Sequence, residues 1–227
     1  MYETRHQYRE DLKELESQTL DGIDLVVEQL DRALESLRSH DIALAETVVA
    51  DDDRIDGRYL EIHQRVLSLL ARQTPVAGDL RLLAALLHMI RCVERIGDQC
   101  VNIAKLVPLA GPQATNDTAM LDAIRRMAQL ARHQLTDARE AFTSRNVSLA
   151  QHLAAEDAGI GQLNREIFNR AVEIGDDIHA RESAMFMILV ARALERIANN
   201  AVDIAEQTVF IVIGLFREFA FADPTQQ

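Results

Sequence analysis

The sequence predicts an all-α protein made of two tandem repeats, each an elongated three-helix bundle with coiled-coil-like packing, giving six long helices. Apolar residues recur in steps of three and four over long stretches, which is the signature of packed helices. The apolar content of 48% is mostly aliphatic, aromatic residues make up 4%, and Trp is absent. Such a composition suits helices better than sheets, where β-branched and aromatic residues usually dominate.

The duplication is clearest in the third helix of each half. The segment Arg91-Cys-Val-Glu94-Arg-Ile-Gly-Asp98 returns 101 positions later as Arg192-Ala-Leu-Glu195-Arg-Ile-Ala-Asn199. Internal similarity of this kind indicates that the chain is built twice from one unit. Both copies place an acidic residue inside an apolar helical pattern. Because a buried charge costs several kcal/mol unless it is paired or bound to metal, the repeat marks a structural ion pair or a cation site.

Apolar series at residues 12–37, 45–69 and 80–104 predict the three helices of the first half. Ser39-His-Asp41 separates the first helix from the second and supplies an N-cap for the second. Thr74-Pro75 ends the second helix and Pro108 ends the third. Series at 121–142, 149–174 and 184–205 repeat the scheme, and the last continues toward Phe219. The predicted domains are residues 1–108 and 117–221, joined by a Gly- and Pro-containing linker at 109–116 and followed by a tail at 222–227.

Charge and composition exclude several classes of protein. The net charge of −12 argues against nucleic-acid binding, which needs clustered Lys and Arg. The N-terminus has no apolar signal-peptide core, and the apolar run at 209–216 is far shorter than the roughly 20 residues that span a membrane. Cys92 and Cys100 lie about 12 Å apart on one predicted helix, too far for a disulfide. These features predict a cytoplasmic protein with both cysteines in its core.

Acidic residues of the first half come in pairs one helical turn apart. Asp52-x-x-x-Asp56 lies on the second helix and Glu94-x-x-x-Asp98 on the third. Residues at i and i+4 share a helix face, so each pair places two like charges side by side. A divalent or trivalent cation would convert this repulsion into ligation, and oxygen-only ligands suit Mg, Ca, Mn or iron. The alternative is a solvated acidic face with Glu94 paired to a nearby arginine, and spacing alone leaves both interpretations open.

The third-helix motif carries a family resemblance. Pro75-Val-Ala-Gly-Asp79-Leu-Arg81, then Glu94-Arg-Ile-Gly-Asp98-x-x-x-Asn102-Ile-Ala104, resembles the PhoU family of phosphate-transport regulators, and residues 194–206 resemble that family's second repeat. The resemblance covers residues 8–219. It implies two three-helix bundles, metal clusters held by Glu/Asp-x-x-x-Asp motifs on helices two and three of each bundle, and no catalysis.

Carried over by position, the resemblance implies metal ligands at Asp52, Asp56, Glu94 and Asp98 in the first bundle. The second bundle departs from the pattern, because Gly161 stands one turn after Asp157 and Asn199 one turn after Glu195, with Asp203 a further turn on. The second site is therefore expected to bind metal weakly, to bind a different cluster or to be vacant. The implied cofactor is iron, Mg or Mn, as a single ion or a multinuclear cluster.

Other candidates carry weaker signals. Di-iron carboxylate enzymes need paired Glu-x-x-His motifs, and the only such spacing here is Glu3-x-x-His6, so redox chemistry is not expected. His63 is a surface histidine or a further ligand beside Asp56. Three arginines are candidates for contact with an anion or a partner's acidic surface, and salt bridges explain them equally well: Arg81, Arg91 and Arg192. The run at 209–216 either fills a bundle end or forms a contact surface.

The resemblance implies a negative regulator of phosphate uptake and of the phosphate-starvation response, acting through protein contacts. The implied partners are the ATPase subunit of the phosphate ABC transporter and a sensor histidine kinase, so that membrane association is peripheral and passes through the transporter. A homodimer is left open. The alternatives are a metal-storing or metal-sensing bundle, and a purely structural helical adaptor, neither with a role in phosphate signalling.

Overall fold

The computed structural model describes residues 2–109 and 117–215, with side chains from His6 onward except that of Asp157. Within these ranges the chain is helical throughout, with short connections and no strand, which confirms the all-α prediction. The helical segments are α1 (Tyr2–Ser39), α2 (Ile42–Ala50), α3 (Asp52–Gln73), α4 (Ala77–Leu106), α5 (Thr118–Ser144), α6 (Val147–Val172) and α7 (Ile178–Ile213). Residues 110–116 of the predicted linker, the predicted tail and Phe219 lie outside the described residues.

The second helix of the first bundle differs from the prediction, because it is interrupted at Asp51 and forms two segments, α2 and α3. The sequence pattern predicts a continuous helix there, since apolar residues keep their spacing across the break. Three consecutive aspartates, Asp51 to Asp53, favour a helix start over a helix interior, because their short side chains compete for nearby backbone groups. The break places Asp52 and Asp53 in the first turn of α3.

Polar residues begin most of the helices. Asp41 caps α2, as predicted, because its side chain accepts a hydrogen bond from the Leu44 N–H at 2.9 Å. Asp117, Asn146 and Asp177 do the same for α5, α6 and α7. The C-cap of α3 is Thr74, which adopts a left-handed conformation with φ 46°, directly before Pro75. The Asp41 cap and the end of α3 at Thr74 agree with the predicted boundaries, and the other three caps fix where α5, α6 and α7 begin.

The two three-helix bundles pack through their third helices. In the first bundle α1, α2 and α3 pack on α4, and in the second α5 and α6 pack on α7. The contact between α4 and α7 joins the bundles, so both helices are buried along much of their length. A second contact lies between α1 and α5. It carries three ion pairs: Arg139 with Asp24 at 2.8 Å, Arg132 with Asp31 at 2.9 Å and Arg145 with Glu16 at 2.7 Å.

The apolar run at the end of α7 divides between core and surface. Val209 is buried, whereas Val212 and Ile213 are exposed, and Gly214 ends the helix with φ 83°. Phe216 lies outside the described residues. Across residues 2–109 and 117–215, no helix combines the length and the apolarity needed to cross a membrane.

Candidate functional site

The four acids predicted in the first bundle lie on α3 and α4, which pack on one another, and they interact electrostatically across that contact. Asp52 is half-buried in the first turn of α3, and Asp56 lies one turn further along. Burial raises the pKa of Asp52; a hydrogen bond from Gln29 opposes this rise, and the negative charges of Asp56 and Asp98 add to it. Asp98 belongs to α4, so carboxylates of the two helices act on one another across the contact.

The pKa of Glu94, on α4, is raised in the same way. Burial and the charge of Asp98 raise its pKa, and Asp56 on α3 raises it further. Arg91 and Arg95 lower the pKa without cancelling the rise. The net rise in the pKa of Glu94 is in the direction expected for the cation interpretation, and opposite to that expected for a dominant salt bridge.

Gln29 on α1 holds Asp52 in place. This glutamine is 1% exposed, and its Nε2 donates to Asp52 Oδ1 at 3.2 Å and to the Val48 carbonyl at 3.3 Å. Val48 lies in the last turn of α2, where carbonyl groups have no partner within the helix. One amide thus closes the end of α2 and positions the first carboxylate of α3.

Gly97 permits the close approach of α3 to α4 at the same point. A Cβ atom at this position would lie 3.0 Å from Asp52 Oδ1 and 3.2 Å from Ile55 Cδ1. Both distances are shorter than ordinary van der Waals contacts. The glycine therefore fixes how near Asp52 lies to the α4 acids.

The arrangement suits a hard cation. Two helices present Asp52, Asp56, Glu94 and Asp98, an oxygen-only donor set of the kind that binds Mg, Mn, Ca or iron. Raised carboxyl pKa values mean that the charged state is disfavoured, and a cation would relieve that penalty. The neighbouring Asp51 is already satisfied, because it forms an ion pair with Arg32 that lowers its pKa.

The second bundle does not reproduce this cluster among its described side chains. Glu195 forms an ion pair with Arg192 on the same helix, which satisfies its charge. Gly161 lies near a cation, since a Cβ at that position would be 3.6 Å from Arg165 Nη1. Asn199 is half-buried on α7, and Asp157 lies in α6 but its side chain is outside the described residues. In the second bundle Glu195 is thus paired, and a basic group stands near Gly161, the position that is acidic in the first bundle.

Asp203 lies apart from the Glu195 ion pair, against α4 of the other bundle. Its carboxylate, His88 on α4 and Cys92 on α4 have ligand-type atoms within 4.8 Å of one another. His88 is exposed and Cys92 is 1% exposed. The spacing of acidic residues alone gave no sign of this contact, because it depends on how α4 and α7 pack.

The remaining candidates are dispersed. Arg81 packs its guanidinium over Gly214 at the end of α7, and a Cβ there would lie 3.5 Å from Nη1. Arg91 is exposed beside the acidic cluster. His63 packs against the ring of Tyr59, with the ring centroids 5.7 Å apart. Arg192 pairs with Glu195, so each of the three predicted arginines has different surroundings.

Gln29 and Gly97 belong to the site but were missed as site residues. Each left a signal in the sequence. Gln29 follows Val26 by three positions in the buried stripe of the first helix, where a polar residue needs a partner. Gly97 interrupts a long apolar helix, where glycine costs about 1 kcal/mol relative to alanine and usually has a packing reason.

Comparison with known proteins gives a consistent result over most of the chain. The PhoU domain model matches twice, at residues 21–107 and 124–208. A phosphate-specific transport system accessory protein PhoU homolog from Thermotoga maritima is 31% identical over 208 residues, covering 91% of this chain and 89% of that protein. A homolog from Clostridium acetobutylicum is 29% identical over 213 residues, with 93% and 96% covered.

Solved structures agree with the sequence matches. The phosphate transport system regulatory protein PhoU from Streptococcus pneumoniae superposes with a TM-score of 0.86 at 26% identity, covering 93% of this chain and 99% of that one. PhoU from Pseudomonas aeruginosa gives 0.83 at 26% identity, with 92% and 100% covered. Two matched domains, a shared fold and the repeated third-helix motif establish that this chain belongs to the PhoU family.

Proposed function

We propose that this protein is a negative regulator of phosphate uptake and of the phosphate-starvation response. It acts on the cytoplasmic side of the membrane by contacts with the ATPase subunit of the phosphate ABC transporter and with a sensor histidine kinase. It performs no catalysis of its own. The observation that carries the proposal is the match of both repeats to the PhoU domain, together with relatives named as accessory proteins of the phosphate-specific transport system.

We propose further that Asp52, Asp56, Glu94 and Asp98 bind a divalent or trivalent metal, with iron, Mn and Mg as the candidates. The support is the electrostatic interaction of acids on α3 with acids on α4, together with the raised pKa values of Asp52 and Glu94. Metal bound there would join the two helices, since a ligand that binds only the folded state stabilises it. It would also add a positive element to an acidic surface, where a partner's acidic groups can dock.

A pull-down with the purified full-length protein tests the partner contacts. The bait is native protein with and without chelator, and the candidate partners are the transporter ATPase subunit and the sensor kinase. We expect both partners to be retained, and chelation to weaken retention if metal forms the docking point. A Glu94→Gln, Asp98→Asn variant serves as the matched control, because it should behave like chelated native protein in either buffer.

Deleting the gene gives an independent readout of the regulatory role. We expect phosphate-starvation genes to be switched on in phosphate-rich medium, because the kinase is no longer held off. Starvation genes that stay silent after deletion, together with no retention of either partner, would contradict the proposal. Those results combined with tight metal binding would favour a metal-storing or metal-sensing bundle, and without metal binding a structural adaptor.

The second bundle is expected to bind metal more weakly than the first or not at all. It lacks the second acid of each pair, Arg192 already pairs with Glu195, and Arg165 places positive charge near Gly161. Anomalous diffraction from a crystal soaked in Mn²⁺ checks this, with strong density expected between α3 and α4 and little at the corresponding positions of α6 and α7. Equal anomalous density in both bundles would show the expectation to be wrong. Introducing Gly161→Asp and Asn199→Asp together should increase the signal in the second bundle.

A further inference from the structure

A mixed set of metal-ligand types lies at the contact between the two bundles. His88 and Cys92 are one turn apart on α4, and Asp203 approaches them from α7. The imidazole nitrogen, the thiol sulfur and a carboxylate oxygen all lie within 4.8 Å of one another. In tetrahedral zinc sites the bond lengths place ligand atoms about 3.5 Å apart. Small side-chain rotations would therefore bring the three atoms to bonding positions.

This group is separate from the carboxylate cluster of the first bundle. Cys92 and Glu94 are two positions apart on α4, which turns their side chains about 200° from each other around the helix. Glu94 faces α3, as its interaction with Asp56 shows, whereas Cys92 faces α7. One cation therefore cannot serve both groups.

The surroundings of Cys92 favour a bound cation. Asp203 approaches its thiol from α7, so that a carboxylate oxygen lies within 4.8 Å of the sulfur. Glu206 follows Asp203 on α7 and is 7% exposed. Two carboxylates of α7 thus lie in this part of the contact between the bundles, where a divalent ion would compensate negative charge. His88 is exposed and gives the site an entrance from solvent.

The ligand types select the metal. A thiolate, an imidazole and a carboxylate together suit zinc and related borderline ions, whereas the oxygen-only cluster on α3 and α4 suits harder ions. The duplication does not supply a second copy of the set. The positions equivalent to His88, Cys92 and Asp203 in the other repeat are Leu189, Ala193 and Asn102, of which only the asparagine has a polar side chain.

We propose that His88, Cys92 and Asp203 bind a zinc-type divalent cation that joins α4 of the first bundle to α7 of the second. Three protein ligands leave one coordination position for water. On binding, the Cys92 thiol releases its proton to solvent and bonds to the metal as thiolate. The site would fix the relative position of the two bundles. This proposal stands independently of the role in phosphate regulation.

Cobalt substitution tests the proposal in full-length protein. Metal-free protein carrying Glu94→Gln and Asp98→Asn, which removes the oxygen-only cluster, is titrated with Co²⁺ and then with Zn²⁺. We expect a thiolate-to-cobalt charge-transfer absorption that grows to one Co²⁺ per chain and disappears when Zn²⁺ displaces cobalt. Cys92→Ser should abolish the absorption and lower the Zn²⁺ affinity at least about 100-fold, because loss of a supporting residue alone costs 10–100-fold at metal sites.

Two further variants keep the test decisive. Cys100→Ser is the matched control, because Cys100 is equally buried on the same helix but lies outside the three-residue group, and this variant should keep the absorption. His88→Gln changes an exposed side chain, so the fold is retained, and it should weaken Zn²⁺ binding at least about tenfold. The proposal is overturned if Cys92→Ser keeps the charge-transfer absorption, or if His88→Gln binds Zn²⁺ as tightly as the parent protein.

Discussion

Replacing Asp52 with asparagine is expected to stabilise the metal-free protein and to remove most of the stabilisation that Mn²⁺ or iron provides. Asparagine keeps the shape of the side chain and can still accept the hydrogen bond from Gln29, but it carries no charge. The variant therefore loses the burial cost of the carboxylate and its repulsion from Asp56 and Asp98. We expect a rise in Tm of about 2–4 °C without metal, which corresponds to about 1 kcal/mol in a domain of this size.

The effect should depend on pH in a defined direction. Because the folded-state pKa of Asp52 is raised above its ordinary value of 3.8, the folded protein holds this proton more tightly than the unfolded chain does. The folded state loses stability as pH rises from about 4 through the raised pKa. The stability difference between Asp52→Asn and native protein should therefore grow over that range and then level off.

Thermal unfolding of both proteins, with chelator and with saturating Mn²⁺, measures these effects. The native protein should gain more from Mn²⁺ than the variant does, so that the order of the two melting temperatures reverses when metal is added. Asp53→Asn is a suitable control, because Asp53 is exposed in the same helical turn. A variant that is less stable than native protein in chelator at pH 7 would indicate that Asp52 makes a stabilising ion pair.

Replacing Gly97 with alanine is expected to destabilise the protein and to lower its metal affinity together. The added methyl group would lie 3.0 Å from Asp52 Oδ1 and 3.2 Å from Ile55 Cδ1, so α3 must move away from α4. Overpacking of this kind costs about 1–3 kcal/mol, and the better helix propensity of alanine returns up to about 1 kcal/mol. We expect a net loss of about 1 kcal/mol and a loss of affinity of roughly tenfold.

Gly57→Ala is the matched control, because it lies on α3 next to Asp56 and a Cβ there would meet nothing within 4 Å. This variant should gain up to about 1 kcal/mol from helix propensity and keep the native metal affinity. Chemical denaturation and metal titration of both variants give the comparison. If Gly97→Ala is as stable as Gly57→Ala and binds metal normally, the close approach of α3 and α4 has no role at the site.

Local sequence patterns were sufficient to predict the fold because each helix has its own apolar period and its own ends. The Asp41 cap and the Thr74-Pro75 stop are local signals, and the structure places both at helix ends. The duplication predicts two bundles because the third-helix motif returns with the same spacing. Such features depend on residues close in sequence, so a single sequence is sufficient to predict them.

The parts that escaped prediction depend on packing between distant segments. The break at Asp51 lets Arg32 of α1 pair with that residue and puts Asp52 at a helix start, which apolar spacing does not reveal. Gln29 reaches Asp52 from 23 positions away. The approach of Asp203 to Cys92 joins the two repeats and depends on the register of α4 against α7, which no local sequence pattern encodes.

Metal content is the measurement that tests the central claim most directly. Native protein and the Glu94→Gln, Asp98→Asn variant are loaded with Mn²⁺ or iron, freed of excess metal and examined by elemental analysis. We predict that native protein retains at least one ion per chain and that the variant loses most of it. Native protein that takes up no Mg, Mn or iron would contradict the claim, and so would a variant that retains as much metal as native protein. In either case the first-bundle acids would be structural.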